Sequence, residues 1–170
     1  MNLAYLHYKI EEDNYRAGVL VTDEKTKPLE FRITTSLNID QLQKILYGES
    51  LKEILFKERF GIELLNALKE SYDLVLIKDK SLLILREKID KPVVFIQKYD
   101  EFLPKSRLSY KIINLQEKFE PLYITVSKED ENKLISIAKA FQDIYKYFNL
   151  LEPFDRIEKA IEFISLQEKL

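Results

Sequence analysis

The sequence holds no cysteine and no tryptophan, a single methionine at its start, and one histidine, His7. Its three glycines, Gly18, Gly48 and Gly61, stand far apart. Each scarcity excludes some chemistry. Without cysteine there are no disulfides, thiolate zinc sites, iron–sulfur clusters or cysteine nucleophiles. One histidine rules out a site built on several imidazoles and any Ser-His-Asp arrangement that does not use His7. Three separated glycines leave no phosphate-cradling loop: G-x-x-x-x-G-K-[ST], G-x-G-x-x-G and G-x-S-x-G are all absent. No apolar run approaches the ~20 residues of a bilayer-spanning helix. The opening residues, MNLAYLHYKIEEDNYR, lack the basic segment, apolar stretch and small-residue cleavage site of a signal peptide. These absences predict a cytoplasmic protein.

What is present is charge and aliphatic bulk. Charged residues make up 33% of the chain, mostly Lys and Glu, the composition found in proteins of heat-adapted, thermophile-like type. At 170 residues the chain suits one domain, residues 1–170, burying roughly 70% of its unfolded surface. The formal net charge is −2 and the sequence pI about 5.7. A nucleic-acid-binding domain usually shows as strongly basic, so net charge does not support a nucleic-acid partner.

Periodicity predicts the order of elements. Leu3–Ile10 and Tyr15–Thr22 read as strands around the polar turn Glu11–Asn14. Leu29, Phe31 and Ile33 alternate with Glu30, Arg32 and Thr34, as in a half-buried strand. Short turns between the three strands predict an antiparallel meander. Asn38 or Asp40 can cap a helix that Gly48 closes. Ser50 and Glu53 have capping-box spacing for a second helix, which Gly61 breaks before a third apolar face at Ile62–Leu68. Leu74–Ile77 and Pro92–Gln97 are continuous apolar runs, as in strands buried on both sides. With a short helix at Ser81–Ile89 between them they form a βαβ unit, parallel by default. Tyr99–Arg107 (YDEFLPKSR) reads as an exposed loop, and Leu108–Leu115 and Leu122–Val126 as further strands. Ser127 starts a helix through Phe148, and Pro153 opens a last one. The expected fold is α/β (α+β): a mixed sheet beginning with the three-strand meander, one buried βαβ unit, and residues 127–170 as a C-terminal helical pair packed on the sheet.

Three antiparallel strands, a helix, a fourth strand, then alternating helix and strand: this order resembles the ribonuclease H-like nucleases. The resemblance implies two metal ions, Mg²⁺ or Mn²⁺, held by acidic residues at set places. One place is the middle of the first strand and another the end of the fourth. Asp79, just after Leu74–Ile77, matches the second place, and Glu63 is a looser candidate for a third carboxylate. The first strand departs from the pattern, because Leu3–Ile10 contains no Asp or Glu. Asp79 also reads as the N-cap of the helix that begins near Lys80. His7 reads as a strand residue on a partly wet face.

Elsewhere, Glu30 and Arg32 lie two apart on one strand face and can pair with a cross-strand neighbour such as Arg16. They form either a solvated ion-pair ladder or a polar binding patch in which Arg32 grips a carboxylate or phosphate. Asp155 and Arg156, beside Phe154, either anchor the last helix or form a contact surface. Aromatic clusters such as Tyr99 with Phe102 can stack nucleobases when basic residues are interleaved, and otherwise serve as core and strand aromatics.

No complete catalytic constellation emerges. The sequence is therefore read first as a non-catalytic protein-interaction or self-associating module, with a protein partner or homo-oligomer and no cofactor. The alternatives are a metal-dependent or degenerate ribonuclease H-like nuclease using Asp79, and a small-molecule-binding protein. The latter would have its pocket at the carboxyl ends of Leu74–Ile77 and Val93–Gln97, where open α/β sheets bind ligands.

Overall fold

Alternation along strand β1 (Leu3–Glu11) sets the layering. Successive strand residues face opposite sides of a sheet, so Leu3 and Tyr5 enter one apolar cluster while Ala4 and Leu6 enter another. Strands β5 (Leu74–Ile77) and β6 (Val93–Lys98) divide the same way, Leu74, Leu76, Val94 and Ile96 against Val75, Ile77, Val93 and Phe95. A sheet apolar on both faces must be covered twice. The computed structural model, which describes residues 1–170, shows how. Helices α4 (Leu134–Tyr145) and α5 (Glu152–Glu168) close the first cluster. Helices α2 (Leu51–Glu58) and α3 (Phe60–Ala67), with the 3-10 helix Lys80–Glu87, close the second.

Strands β2 (Asn14–Thr22) and β3 (Pro28–Ile33) complete the antiparallel meander with β1. β1 runs parallel to β5, and β5 to β6. Beyond them lie β8 (Leu122–Val126), antiparallel to β6, and β7 (Ser109–Ile112) at the edge. The order is β3-β2-β1-β5-β6-β8-β7, with a two-residue strand β4 (Leu37–Asn38) on β2. The mixed α/β fold is the one expected. Helix α1 (Gln41–Tyr47) carries the expected cap: Asp40 accepts from the Gln43 amide at 2.8 Å, and Gly48 closes it at φ +59°. No helix is long and apolar enough to cross a membrane.

Two local expectations are overturned. Ser50 makes no capping bond, because its hydroxyl donates back to the Tyr47 carbonyl at 2.7 Å. Gly61 does not break a helix, since the break falls at Arg59 and Gly61 lies within the first turn of α3. It is needed for closeness: a Cβ there would sit 2.7 Å from the Phe56 carbonyl oxygen and 3.0 Å from Leu85.

Candidate functional site at the carboxyl ends of β1 and β5

The chain turns to opposite sides of the sheet at β1. Its antiparallel neighbour β2 lies on one side and its parallel neighbour β5 on the other. Such switch points leave a crevice beyond the strands' carboxyl ends, where ligands of open sheets bind. The register ends at Leu6 opposite Ile77. The next residues are His7 and Tyr8 on β1 and Lys78 and Asp79 after β5, which places them at that switch point, and the strand period sends His7 and Tyr8 to opposite faces.

On the α2 face, Asp79 is saturated. One carboxylate oxygen accepts from the Ser81 amide at 3.0 Å and its hydroxyl at 2.8 Å. The other accepts from the Tyr8 hydroxyl at 2.5 Å and pairs with the Lys52 ammonium at 3.0 Å. Asp79 is thus the N-cap of the 3-10 helix and one pole of a Tyr8–Asp79–Lys52 cluster. Burial works to raise its pKa, but the bonds from Tyr8, Lys52 and Ser81 outweigh it and hold the carboxyl down at about 2. Lys52, hydrogen-bonded to Tyr8 and Asp79, is pushed up to about 12 against its own desolvation. Burial and the bond to Asp79 raise the Tyr8 phenol.

On the other face His7 is buried, not partly wet as expected, and its Nε2 lies 2.9 Å from a Glu158 carboxylate oxygen on α5. Burial lowers its pKa despite that carboxylate, so the ring is neutral at pH 7 and donates from Nε2. The pair is the first rung of a ladder. Lys9 bonds Glu162, and Arg16 grips Glu168 with two nitrogens at 2.7 and 2.9 Å. Residues 158, 162, 165 and 168 share one stripe of α5 by their three- and four-residue spacing.

The candidates named from sequence scatter. Arg16 belongs to this ladder, buried and also bonded to the Thr34 carbonyl at 2.8 Å. Glu30 and Arg32 pair with each other at 2.7 Å and are not joined by Arg16. Glu30 also accepts from the Lys69 and Glu70 amides at 2.8 Å, tying β3 to the chain after α3. Arg156 pairs with Glu152 and donates to the Thr26 carbonyl at 2.6 Å, fastening α5 to the β2–β3 turn. Asp155 is exposed and makes no such bond. Glu63 makes no side-chain hydrogen bond or ion pair, and nothing joins it to Asp79. Sequence reading did not single out Lys52 or Glu158. The only available signal was the strand period, which sends Tyr8 and His7 toward different helices.

A divalent metal does not fit these residues. No three His, Asp or Glu side chains lie close enough together to hold one. The carboxylate at the matching place is already neutralised by an ammonium group and bonded through both oxygens. On β1 neither face offers an acid here: Tyr8 lies on the Asp79 side and His7 on the other.

By sequence the chain matches no protein-family model and no curated protein. By structure it is similar to an endonuclease V from Bacillus subtilis over 99% of this chain and 81% of that one, at 14% identity and a TM-score of 0.54. The likeness is one of fold. An endonuclease V from Ciona intestinalis, solved with an inosine-containing DNA, aligns over 82% of this chain and 76% of its own (8% identity, TM-score 0.44). The Argonaute of Marinitoga piezophila, solved with guide RNA, aligns over 93% of this chain and 29% of its own (10% identity, TM-score 0.46). Matches that loose fix neither fold nor function.

Two expectations are corrected. The reading as a protein-interaction or self-associating module gives way, because the fold matched along nearly the whole chain is that of a nuclease. Net charge is also no ground against nucleic acid. The fold matched along nearly the whole chain is that of an endonuclease, and a sum over 170 residues is blind to how charge is distributed over one face.

Proposed function

We propose that the chain is a degenerate ribonuclease H-like nuclease: a protein of nuclease fold, one domain over residues 1–170 and cytoplasmic, that holds nucleic acid at the carboxyl ends of β1 and β5 without a divalent metal centre. The observation that carries this reading is the Tyr8–Asp79–Lys52 cluster. Asp79 stands where the ribonuclease H-like resemblance puts a metal-binding acid, yet an ammonium group lies 3.0 Å from it. In that arrangement Asp79 is a positioning residue. It keeps Lys52 charged and oriented at the mouth of the crevice, where an ammonium can meet a phosphate, and it caps the 3-10 helix that carries Lys80.

The test measures binding and cleavage together. Labelled oligonucleotides, single-stranded and duplex, are titrated with the protein in EDTA and again in Mg²⁺ or Mn²⁺. The expected result is binding that survives EDTA, with no cleavage in either metal. Absence of binding to every oligonucleotide would overturn the proposal. So would Mg²⁺-dependent cleavage that Asp79→Asn abolishes, since that requires an intact metal centre.

A further inference from the structure

Next to the crevice, the face of β6, β8 and β7 opposite α4 carries no helix beyond the edge of the 3-10 helix Lys80–Glu87. It is roofed instead by the segment 99–107. Beneath that roof runs a groove made of two cavities, about 430 and about 500 Å³, which share Leu103, Ser106, Ser109 and Tyr123. Lys80 and Lys128 line the inner cavity, Lys105 and Lys111 the outer one, and neither has an Asp or Glu in its wall. Four lysines without an acid stand out in a chain whose acids outnumber its bases, 29 to 27. Asp100, Glu101 and Glu120 line an adjoining hollow, which shares Tyr99 and Leu103 with the outer cavity. Between the lysines the floor is hydroxyl-rich. The Ser109 and Thr125 hydroxyls bond each other at 2.8 Å, and Ser106, Ser127 and Gln97 lie beside them.

Aromatic rings complete the wall. Tyr99 packs edge-on against Tyr123 with centroids 5.6 Å apart, and the Lys111 ammonium lies 4.1 Å over the Tyr99 ring. At the tip of the roof Phe102 is 86% exposed with nothing covering it. A charged, hydroxyl-lined channel flanked by the half-buried Tyr99 ring and the exposed Phe102 ring has the two elements that hold unpaired nucleic acid: ammonium groups along the backbone and aromatic faces for the bases. Lys80, in the wall of the inner cavity, follows Asp79 directly in the chain.

We propose that this groove is a binding path for single-stranded nucleic acid, with its phosphates on Lys80, Lys128, Lys105 and Lys111 and its bases on Tyr99 and Phe102. The assignment rests on the reading of the adjoining crevice as a nucleic-acid site. A duplex carries its bases stacked inward and cannot offer them to Tyr99 and Phe102, which is why an unpaired strand is the ligand.

The test is fluorescence anisotropy of the full chain with labelled dT15, U15 and a 15-base-pair duplex. Lys80→Glu/Lys111→Glu is compared with Lys139→Glu/Lys159→Glu, which makes the same change of charge on the exposed surfaces of α4 and α5. Circular dichroism and melting check that each variant is folded. Wild type is expected to bind single strands more tightly than duplex, with preference for U15 or dT15 naming RNA or DNA as the ligand. The groove pair is expected to weaken single-strand binding at least tenfold and the control pair less than threefold. Tyr99→Ala/Phe102→Ala, at unchanged net charge, is expected to cost about tenfold or more. Wild-type binding that the groove pair leaves intact overturns the groove alone. Tighter binding of duplex overturns the single-strand assignment. No binding by wild type to any probe overturns the reading of the crevice as well.

Discussion

His7 and Asp79 lie on opposite faces of the sheet, one against α5 and the other against α2, and their acid–base behaviour separates by pH. Burial holds the His7 pKa below its ordinary 6.5, so folding favours the neutral ring. Its contribution to stability is complete above pH 6.5 and is lost as the pH falls through the folded value, because the unfolded chain then binds a proton the folded chain resists. Asp79 runs on a lower window. Its carboxyl, held at about 2 against an ordinary 3.8, contributes fully above pH 3.8 and loses that contribution as the pH falls through 2. Calorimetric melting from pH 8 to 2 should therefore show two separable losses. His7→Gln, which keeps a donor for Glu158, should flatten the decline just below pH 6.5 and leave the lower one. Asp79→Asn should do the reverse. A His7→Gln protein that loses stability between pH 7 and 5 as steeply as wild type would show that His7 is not the source of that loss.

At the scale of elements, helix–sheet contact is set by a few close approaches. In α3, alanine at position 61 would gain about 1 kcal/mol of helix propensity over glycine. The added Cβ would lie 2.7 Å from a backbone oxygen that has little room to move, and such overpacking costs about 1–3 kcal/mol. Gly61→Ala should be less stable in urea melts, and a more stable variant would mean that the α2–α3 junction shifts freely. The same junction shows where sequence reading succeeds and fails. The runs at Leu74–Ile77 and Pro92–Gln97 announced doubly buried strands, because a strand covered on both faces has no wet side to encode. Asp40 and Gly48 announced α1 through backbone rules that need no tertiary partner. Gly61 was misread as a breaker because a glycine selected for closeness looks the same in sequence as one selected for a turn. The two-residue β4 carries too few side chains to have a period. Of the site, Asp79 was legible from its place after a strand. Its partner Tyr8 lies 71 residues away, and Lys52 sits on a helix whose docking only the fold decides.

At the scale of the whole molecule, the charge that matters is the charge along one path. A net −2 predicts weak repulsion of any polyanion at long range, whereas a groove walled by four lysines predicts local counterion release on binding. For single strands the logarithm of the binding constant falls with the logarithm of salt at about −0.7 per phosphate neutralised. Four contacts give a slope of about −3, or a roughly 50-fold loss between 50 and 200 mM salt. Lys80→Glu/Lys111→Glu, leaving two contacts, should bring the slope to about −1.4. Because no three His, Asp or Glu side chains cluster and Lys52 already pairs with Asp79, Mg²⁺ should act only as a competitor for phosphates and weaken binding more than NaCl of equal ionic strength. It should also leave the melting temperature unshifted, whereas a resident site at 100 times its dissociation constant adds about 2.7 kcal/mol. A slope near zero would remove the lysines from the interface. Mg²⁺ that tightened binding or raised the melting temperature would restore the metal centre that Lys52 displaces.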